Sequence, residues 1–201
     1  MIQPLSIGLF IDGGYYAKID EALRHNSGLG LDLKKLMHFI RTTVAELYDT
    51  TIDECQIVES HYFRGRYRAA VAEQKRILFP ERRFEDALIE NDVIFHYKHL
   101  REIDGTIIEK GIDVWYALEA YELATVRHFD VVVLITGDAD HEMLIRKLKA
   151  LKSNVILLTG ELSSQSAVSR LLKEEATLHI DLGVLFSNSR EAVEDICTER
   201  R

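Results

Sequence analysis

The chain has 201 residues, 47% of them hydrophobic and 29% charged, and its 25 basic and 33 acidic side chains give a formal net charge of −8. This composition is typical of one globular domain with a substantial core, and the negative charge argues against non-specific polyanion binding by the whole surface. The two cysteines, Cys55 and Cys197, exclude a disulfide framework and a CxxC metal site. The first apolar run lacks a preceding basic segment and ends at Asp12, so we expect no signal peptide, no membrane span and a cytosolic location.

Segments with strand and helix patterns alternate along the chain. In chain order we predict a strand at 5–11, a helix from Tyr16, a helix at 33–48 capped by Asp32, a strand at 55–63, helices at 68–79 and 81–90, a strand at 93–97, a helix at 111–128, a strand at 131–136, a helix at 142–152, a strand at 154–159, a helix at 165–176 and a strand at 178–182. Several strands are apolar throughout, which is typical of strands covered on both faces. We therefore predict an α/β fold, with a mainly parallel central sheet and helices on both faces, over residues 1–182, followed by a polar C-terminal tail at 183–201.

Acidic residues follow two of the predicted strands. Asp12 comes directly after the first strand, in FIDGG, and Asp138 and Asp140 follow a later one, in LITGDAD. The carboxyl ends of parallel strands lie on one rim of a sheet, where such folds bind their ligands, and Asp113 opens a helix that we expect beside this rim. Converging carboxylates repel one another unless a hard divalent cation such as Mg²⁺ neutralises them. The acids therefore indicate metal-assisted hydrolysis of a phosphodiester.

Local explanations exist for each acid taken alone. Asp138 or Asp140 could cap the following helix, Asp113 suits the first turn of a helix, and Asp12 suits a turn. Each explanation accounts for one residue, whereas the metal site accounts for the four at one rim.

The stretches LFIDGGYY, EKGIDVWYALEAYELA and VVVLITGDADHEMLIRKL resemble, in order and spacing, the motifs of NYN-domain proteins. The similarity extends over about residues 5 to 182. NYN domains belong to the PIN-like superfamily of metal-dependent ribonucleases, so the resemblance implies a Rossmann-like PIN-type fold and RNA cleavage with Mg²⁺ or Mn²⁺. It also implies a set of residues that bind the metal and carry the catalysis: Asp12, Asp113, Asp138 and Asp140.

Three positions depart from the family pattern or fit it loosely. Glu119 stands where many members have an Asp, but six residues turn a helix by about 240° from Asp113, so it fits a supporting role as well as direct ligation. Tyr15 replaces an Asn that is common three residues after the first Asp, which removes an amide that would orient the substrate. His141 replaces a Phe; we interpret it as a surface or packing residue, with a proton-transfer role as the alternative.

Four basic residues are candidates for RNA binding: Arg64, Arg66, Arg68 and Lys110. The three arginines belong to YFRGRYR, which follows the second predicted strand, and Arg suits bidentate contacts with phosphate. Tyr62 and Tyr67 could stack on unpaired bases, although a solvated loop with scattered charges explains the segment equally well.

The resulting hypothesis is a metal-dependent ribonuclease acting on single-stranded or structured RNA, with DNA left open as a substrate and a homodimer compatible with a domain of this size. The alternatives are a non-catalytic RNA-binding or regulatory module, and a phosphatase or nucleotidyl enzyme. The serines of the loop before residue 168 (Ser163, Ser164 and Ser166) are interpreted as loop and capping residues, because the sequence shows no accompanying His–Asp arrangement.

Overall fold

The computed structural model describes residues 4–103, 106–162 and 168–199. In chain order its elements are β1 (Leu5–Asp12), α1 (Gly13–Ser27), β2 (Leu29–Leu31), α2 (Leu33–Leu47), β3 (Cys55–Arg66), α3 (Ala69–Gln74), α4 (Leu78–Glu90), β4 (Ile94–His99), β5 (Arg101–Ile103), β6 (Thr106–Ile108), α5 (Ile112–Arg127), β7 (Val131–Ile135), α6 (Glu142–Ala150), β8 (Asn154–Thr159), α7 (Arg170–Glu175), β9 (Leu178–Asp181), α8 (Leu182–Asn188), α9 (Arg190–Ile196) and β10 (Cys197–Glu199). Single 3-10 turns lie at Ile52–Glu54 and Ala139–His141.

Six strands form a central sheet in the order β4-β3-β1-β7-β8-β9, and every neighbouring pair is parallel. The chain adds β3 and β4 on one side of β1, and then β7, β8 and β9 on the other. The strand order therefore reverses around β1, and the carboxyl ends of β1 and β7 flank the point at which an open α/β sheet binds ligands. The predicted α/β class and parallel sheet are confirmed.

Both faces of the sheet are covered. Alternate residues of β1 (Ile7, Leu9 and Ile11) pack into a core with α1 and α2, while Phe10 packs on the other face with α5 and α6. All four side chains are fully buried. This arrangement explains the apolar run without polar alternation, since a strand between two helical layers has no solvent-facing side.

The segment expected to be a polar tail is folded. It forms α8, α9 and β10, and β10 pairs antiparallel with β2 through Cys197 and Leu31. Ile196 and Cys197 are buried, and the ammonium of Lys35 donates to the carbonyls of Glu194 (2.6 Å) and Cys197 (2.8 Å). The prediction missed this because two helices of seven residues and a strand of three carry little hydrophobic periodicity.

Further differences concern element lengths. Of the predicted helix at 68–79, only Ala69–Gln74 forms α3, and residues 78 and 79 begin α4 instead. β3 continues to Arg66, three residues beyond the predicted end, because its partner β4 pairs with it as far as His99. Of the predicted helix 165–176, Arg170–Glu175 is helical, while Ser163, Ser164 and Ser166 lie outside the described residues. Within the described ranges, no helix has the length and apolar character needed to span a bilayer.

Candidate active site

Asp12 ends β1 and caps α1. Its Oδ1 atom accepts hydrogen bonds from the backbone amides of Gly14 (2.9 Å) and Tyr15 (3.1 Å), and Thr136 Oγ1 lies 3.4 Å from Oδ2. Burial raises the pKa of the Asp12 carboxyl, the Tyr15 amide opposes this, and the nearby charge of Asp113 raises the pKa further. Asp12 is thus a helix cap that also sits in a site where negative charge is unfavourable.

Glu109 and Asp113 bring two more carboxylates to the same place. Asp113 is exposed in the first turn of α5, and Glu109 Oε2 accepts a hydrogen bond from the Gly65 amide at 2.9 Å. Burial raises the pKa of Glu109, and the charges of Asp12 and Asp113 raise it as well. Three carboxylates therefore interact electrostatically at the ends of β1, β3 and the start of α5.

Sequence reasoning did not single out Glu109. The residue lies in a loop before the KGID stretch, and no spacing rule places a loop side chain at the end of β3. Its position four residues before Asp113, as the first residue of EKGIDVWYALEAYELA, was the available signal.

Asp138 and Asp140 lie in the turn after β7. Asp138 Oδ1 accepts a hydrogen bond from the Asp140 amide at 3.0 Å and caps the 3-10 turn, while the Asp138 amide donates to Thr136 Oγ1 at 3.2 Å. Capping therefore occupies one of the two carboxylate oxygens of Asp138. Asp140 is exposed at the mouth of the turn. Gly137 precedes this turn because a Cβ there would collide with the Tyr15 ring.

The carboxylates of this site are the type of ligand that a hard divalent cation prefers. Asp12, Glu109 and Asp113 supply carboxylate oxygens, and burial is the main cause of the raised pKa values of Asp12 and Glu109; the charges of the neighbouring carboxylates raise these pKa values further, an effect that a bound cation would oppose. Among the described residues, no three or more His, Cys, Asp or Glu side chains are grouped closely enough to hold a metal ion. Mg²⁺ commonly uses one or two carboxylates, with water and substrate phosphate completing its ligands.

His141 lies in the interior, next to Thr136, the residue that approaches Asp12. It is only 2% exposed, its Nδ1 atom is 2.9 Å from Thr136 Oγ1, and its ring packs against that of Tyr116 with centroids 4.6 Å apart. Its Nε2 atom is buried and has no hydrogen-bond partner within the described part of the chain. The side chain is therefore placed to hold Thr136 rather than to meet solvent.

Glu119 and Tyr15, the other two positions that fit the family pattern loosely, lie away from the mouth of the site. Glu119 accepts a hydrogen bond from the Trp115 indole at 3.1 Å and interacts electrostatically with His61 and His96. Tyr15 is 5% exposed, its hydroxyl accepts a hydrogen bond from the Gly160 amide at 3.1 Å, and burial raises the pKa of its hydroxyl to about 12. Tyr15 thus ties together the turns that follow β7 and β8.

The basic residues are divided between paired and exposed positions. Arg66 forms an ion pair with Glu85 (3.0 Å) and lies over the Tyr97 ring, 4.9 Å from its centroid, whereas Arg64 donates to the Tyr62 hydroxyl at 3.4 Å. Arg68 and Lys110 are both exposed.

The expectation that Tyr62 stacks on a base is wrong. The side chain is 1% exposed, because β3 lies between β1 and β4 and is buried from Ser60 to Phe63. Tyr67 is half-buried, with the ammonium of Lys75 5.2 Å from its ring centroid.

Comparison with known proteins gives a family and a fold. The model of the family described as "NYN domain" matches residues 6–183. A protein of unknown function from Vibrio parahaemolyticus has a similar structure, with a TM-score of 0.63, 16% identity, and coverage of 98% of this chain and 99% of that one. A putative UDP-N-acetylglucosamine 2-epimerase from Listeria monocytogenes aligns with a TM-score of 0.42 and 10% identity, over 97% of this chain and 42% of that one. Comparison with curated proteins found no match.

Proposed function

Because this chain belongs to the NYN-domain family, whose PIN-like relatives are nucleases, we propose that it is a divalent-metal-dependent ribonuclease that hydrolyses RNA phosphodiester bonds at the rim formed by Asp12, Glu109 and Asp113. The observation that carries this proposal is the electrostatic interaction of these carboxylates at the switch point of the sheet. Asp138 and Asp140 complete the proposed acid set from the turn after β7.

Mg²⁺ or Mn²⁺ would be held by Asp12 and Asp113, with Glu109, Asp138 and Asp140 beside them. The bound ion would supply positive charge that stabilises the transition state at phosphorus and favours deprotonation of the attacking water. The attacking water would form a bond to phosphorus as the bond to the leaving oxygen breaks, and the proton that the water loses to solvent would be matched by one that the leaving oxygen takes up.

The protein's own residues hold the Asp12 carboxylate in a fixed orientation. The amides of Gly14 and Tyr15 hold Oδ1 of Asp12, and Thr136 approaches Oδ2. Exposed Arg68 and Lys110 would attract the RNA backbone, which gives an acidic protein a local basic contact. The predictions of a cytosolic location and of a homodimer stay predictions.

A non-catalytic RNA-binding module is the second candidate. It is favoured by Tyr15, whose buried side chain stands where many family members have an Asn and does not reach a substrate. The two candidates differ in whether RNA is cut.

The test is incubation with labelled single-stranded RNA, hairpin RNA and DNA, in chelator, Mg²⁺ or Mn²⁺. We expect RNA cleavage that needs the metal, is lost in Asp12→Asn and Asp113→Asn, and persists in Asp195→Asn, which changes an exposed residue of α9. Metal-dependent RNA binding without any cleavage would favour the second candidate. A protein that neither binds nor cuts RNA would contradict both.

A further inference from the structure

A cavity of about 420 Å³ lies between α1, α4 and the carboxyl ends of β3 and β4. Its lining includes Tyr62, Arg64, Arg66, Glu81, Phe84 and Tyr97. We call it the α1–α4 cavity. Its volume falls within the range of about 300 to 1,000 Å³ that is usual for sites that bind small organic groups.

One side of the cavity is built from flat groups. The half-buried Phe84 ring packs edge to face on the buried Tyr62 ring, with centroids 5.3 Å apart, and the Arg66 guanidinium covers the Tyr97 ring. Phe84 and Arg66 are therefore the flat groups that line the cavity and remain accessible to a base. Arg66 is held there by Glu85, which is itself also paired with Arg82 at 2.7 Å. Aromatic rings and ordered guanidinium planes are the surfaces on which unpaired bases stack.

Two polar groups in the lining have unused hydrogen-bonding capacity. Glu81 Oε2 is buried and has no hydrogen-bond partner among the residues the structure describes. Arg64 has five N–H donors, and its one side-chain hydrogen bond within the described ranges is the long contact of 3.4 Å with Tyr62. Glu81 and Arg64 interact electrostatically, so the cavity offers an acceptor and a cationic donor close together.

The cavity adjoins the rim formed by Asp12, Glu109 and Asp113, which we call the acid rim. The Tyr62 hydroxyl donates to the carbonyl of Gly13, the residue after Asp12, at 3.4 Å. Arg64 interacts electrostatically with Glu109, which in turn interacts with Asp12. A ligand in the cavity that reaches past Arg64 would therefore meet the proposed reaction centre.

We propose that the α1–α4 cavity is a subsite for one unpaired nucleotide beside the scissile phosphate, in which Arg64 binds a backbone phosphate and Glu81 accepts a hydrogen bond from an amino group of the base. This inference rests on the proposed function for the identity of the ligand. A carboxylate selects bases that carry an exocyclic amino group, because cytosine N4–H₂ donates to it whereas the O4 atom of uracil repels it. The subsite therefore prefers cytosine to uracil, two bases of similar size and stacking area.

The test measures binding of 5′-labelled cytidine and uridine hexanucleotides by fluorescence anisotropy in chelator, so that cleavage does not interfere. We expect the wild type to bind the cytidine hexamer at least about fivefold more tightly. Glu81→Gln, whose amide also donates to O4 of uracil, should reduce this ratio to within about twofold. Asp86→Asn is the matched control: it makes the same change in charge at an exposed position of the same helix and should keep the wild-type ratio.

Arg64→Gln tests the other end of the cavity. It should weaken binding of both hexamers. The slope of log affinity against log salt concentration should also become shallower, by about the amount expected for the loss of one phosphate contact. Circular dichroism and a thermal melt identify a variant that fails to fold, and the remaining variant then decides.

Equal binding of the two hexamers by the wild type, an unchanged ratio in folded Glu81→Gln, or no binding of either hexamer would each overturn the subsite. Failure of the subsite can be distinguished from failure of the proposed ribonuclease function. Metal-dependent cleavage without a cytidine preference removes the subsite alone, whereas a cytidine preference that depends on Glu81, in a protein that cuts no RNA, supports the subsite and removes the nuclease.

Discussion

The Nδ1 atom of His141 lies 2.9 Å from Oγ1 of Thr136, in the interior beneath the acid rim. The same hydroxyl is 3.4 Å from Asp12 Oδ2 and accepts a hydrogen bond from the Asp138 amide at 3.2 Å. Thr136 carries a single O–H proton, so it donates either to Asp12 or to His141. One buried hydroxyl thus connects the strand-end acid of β1 to the turn that follows β7.

Replacing this hydroxyl should damage both stability and activity. Thr136→Val keeps the shape of the side chain but leaves the Asp138 amide and His141 Nδ1 without their partner, which we expect to lower the free energy of unfolding by about 1 to 3 kcal/mol. Urea unfolding and the rate of RNA cleavage are the measurements. Thr136→Ser retains the hydroxyl and should preserve most of both; a loss in Thr136→Val that is no larger than the loss in Thr136→Ser would contradict the role of the hydroxyl.

Asp12→Asn should stabilise the protein in chelator. The carboxyl of Asp12 has a raised pKa, so its folded form binds a proton more readily than its unfolded form, and its charge at neutral pH costs stability. Asn is about as good a helix cap as Asp, so the cap of α1 is kept. We expect a gain of about 1 kcal/mol in the free energy of unfolding.

The same variant should lose its response to metal. A ligand that binds only the folded state adds about 2.7 kcal/mol to the stability of the wild type at one hundred times its Kd. Four thermal melts, wild type and Asp12→Asn in chelator and in millimolar Mn²⁺, measure both effects. Two more melts, of Asp195→Asn in chelator and in Mn²⁺, should show the same shift as the wild type. A wild-type melting temperature that changes with neither Mn²⁺ nor, in a repeat of the melts, Mg²⁺ would argue against the metal site.

Stability should fall on acidification through the histidine pair formed by His61 and His96. Nδ1 of His61 lies 2.9 Å from Nε2 of His96, and burial lowers the pKa of both imidazoles. The unfolded chain therefore binds more protons just below the ordinary histidine pKa of about 6.5, so the stability is fully present above that pH and is lost as the pH falls through the lowered folded values.

Urea unfolding at pH 7.5 and pH 5.5 measures this difference in stability. His96→Phe removes one of the two titrating groups while keeping a ring against Phe63, so its stability should depend less steeply on pH. His25→Gln, which removes an exposed histidine, should keep the wild-type difference. A wild type that is equally stable at both pH values would contradict the prediction.

Lys35 should stabilise the packing of the C-terminal segment, α9 and β10, against the rest of the protein. Lys35→Met keeps most of the aliphatic stem but removes the ammonium that donates to the carbonyls of Glu194 and Cys197. We expect a loss of about 1 kcal/mol in the free energy of unfolding and faster amide hydrogen exchange in α9 and β10. Lys34→Met, at an exposed neighbouring position, is the control, and equal exchange in the two variants would remove the role of Lys35.

The sheet and the strand-end acids of β1 and β7 were predictable from the sequence for a simple reason. Ile7 to Ile11 and Val131 to Ile135 are continuous apolar runs, and a run of that length without alternation fits a strand with two covered faces. The parallel arrangement then places the residues after both strands at one rim.

Other features depend on contacts that no local pattern encodes. Glu109 reaches the rim because a loop crosses the end of β3, and β10 forms because its backbone meets that of β2, more than 160 residues earlier in the chain. Tyr62 looked like an exposed aromatic beside arginines, but whether a strand residue faces solvent depends on what covers the sheet. These are tertiary effects, which sequence periodicity cannot resolve.

The pairing of β1 with β7 has a kinetic consequence. Asp12 and Thr136 are 124 positions apart and meet only when β7 docks beside β1. Closing so long a loop costs entropy before its contacts repay it, and parallel pairing at such separation forms slowly. A folding chain that has joined only β1 and β3 therefore has its first acid in place without the turn after β7, so the proposed acid set should be complete only at a late stage of folding.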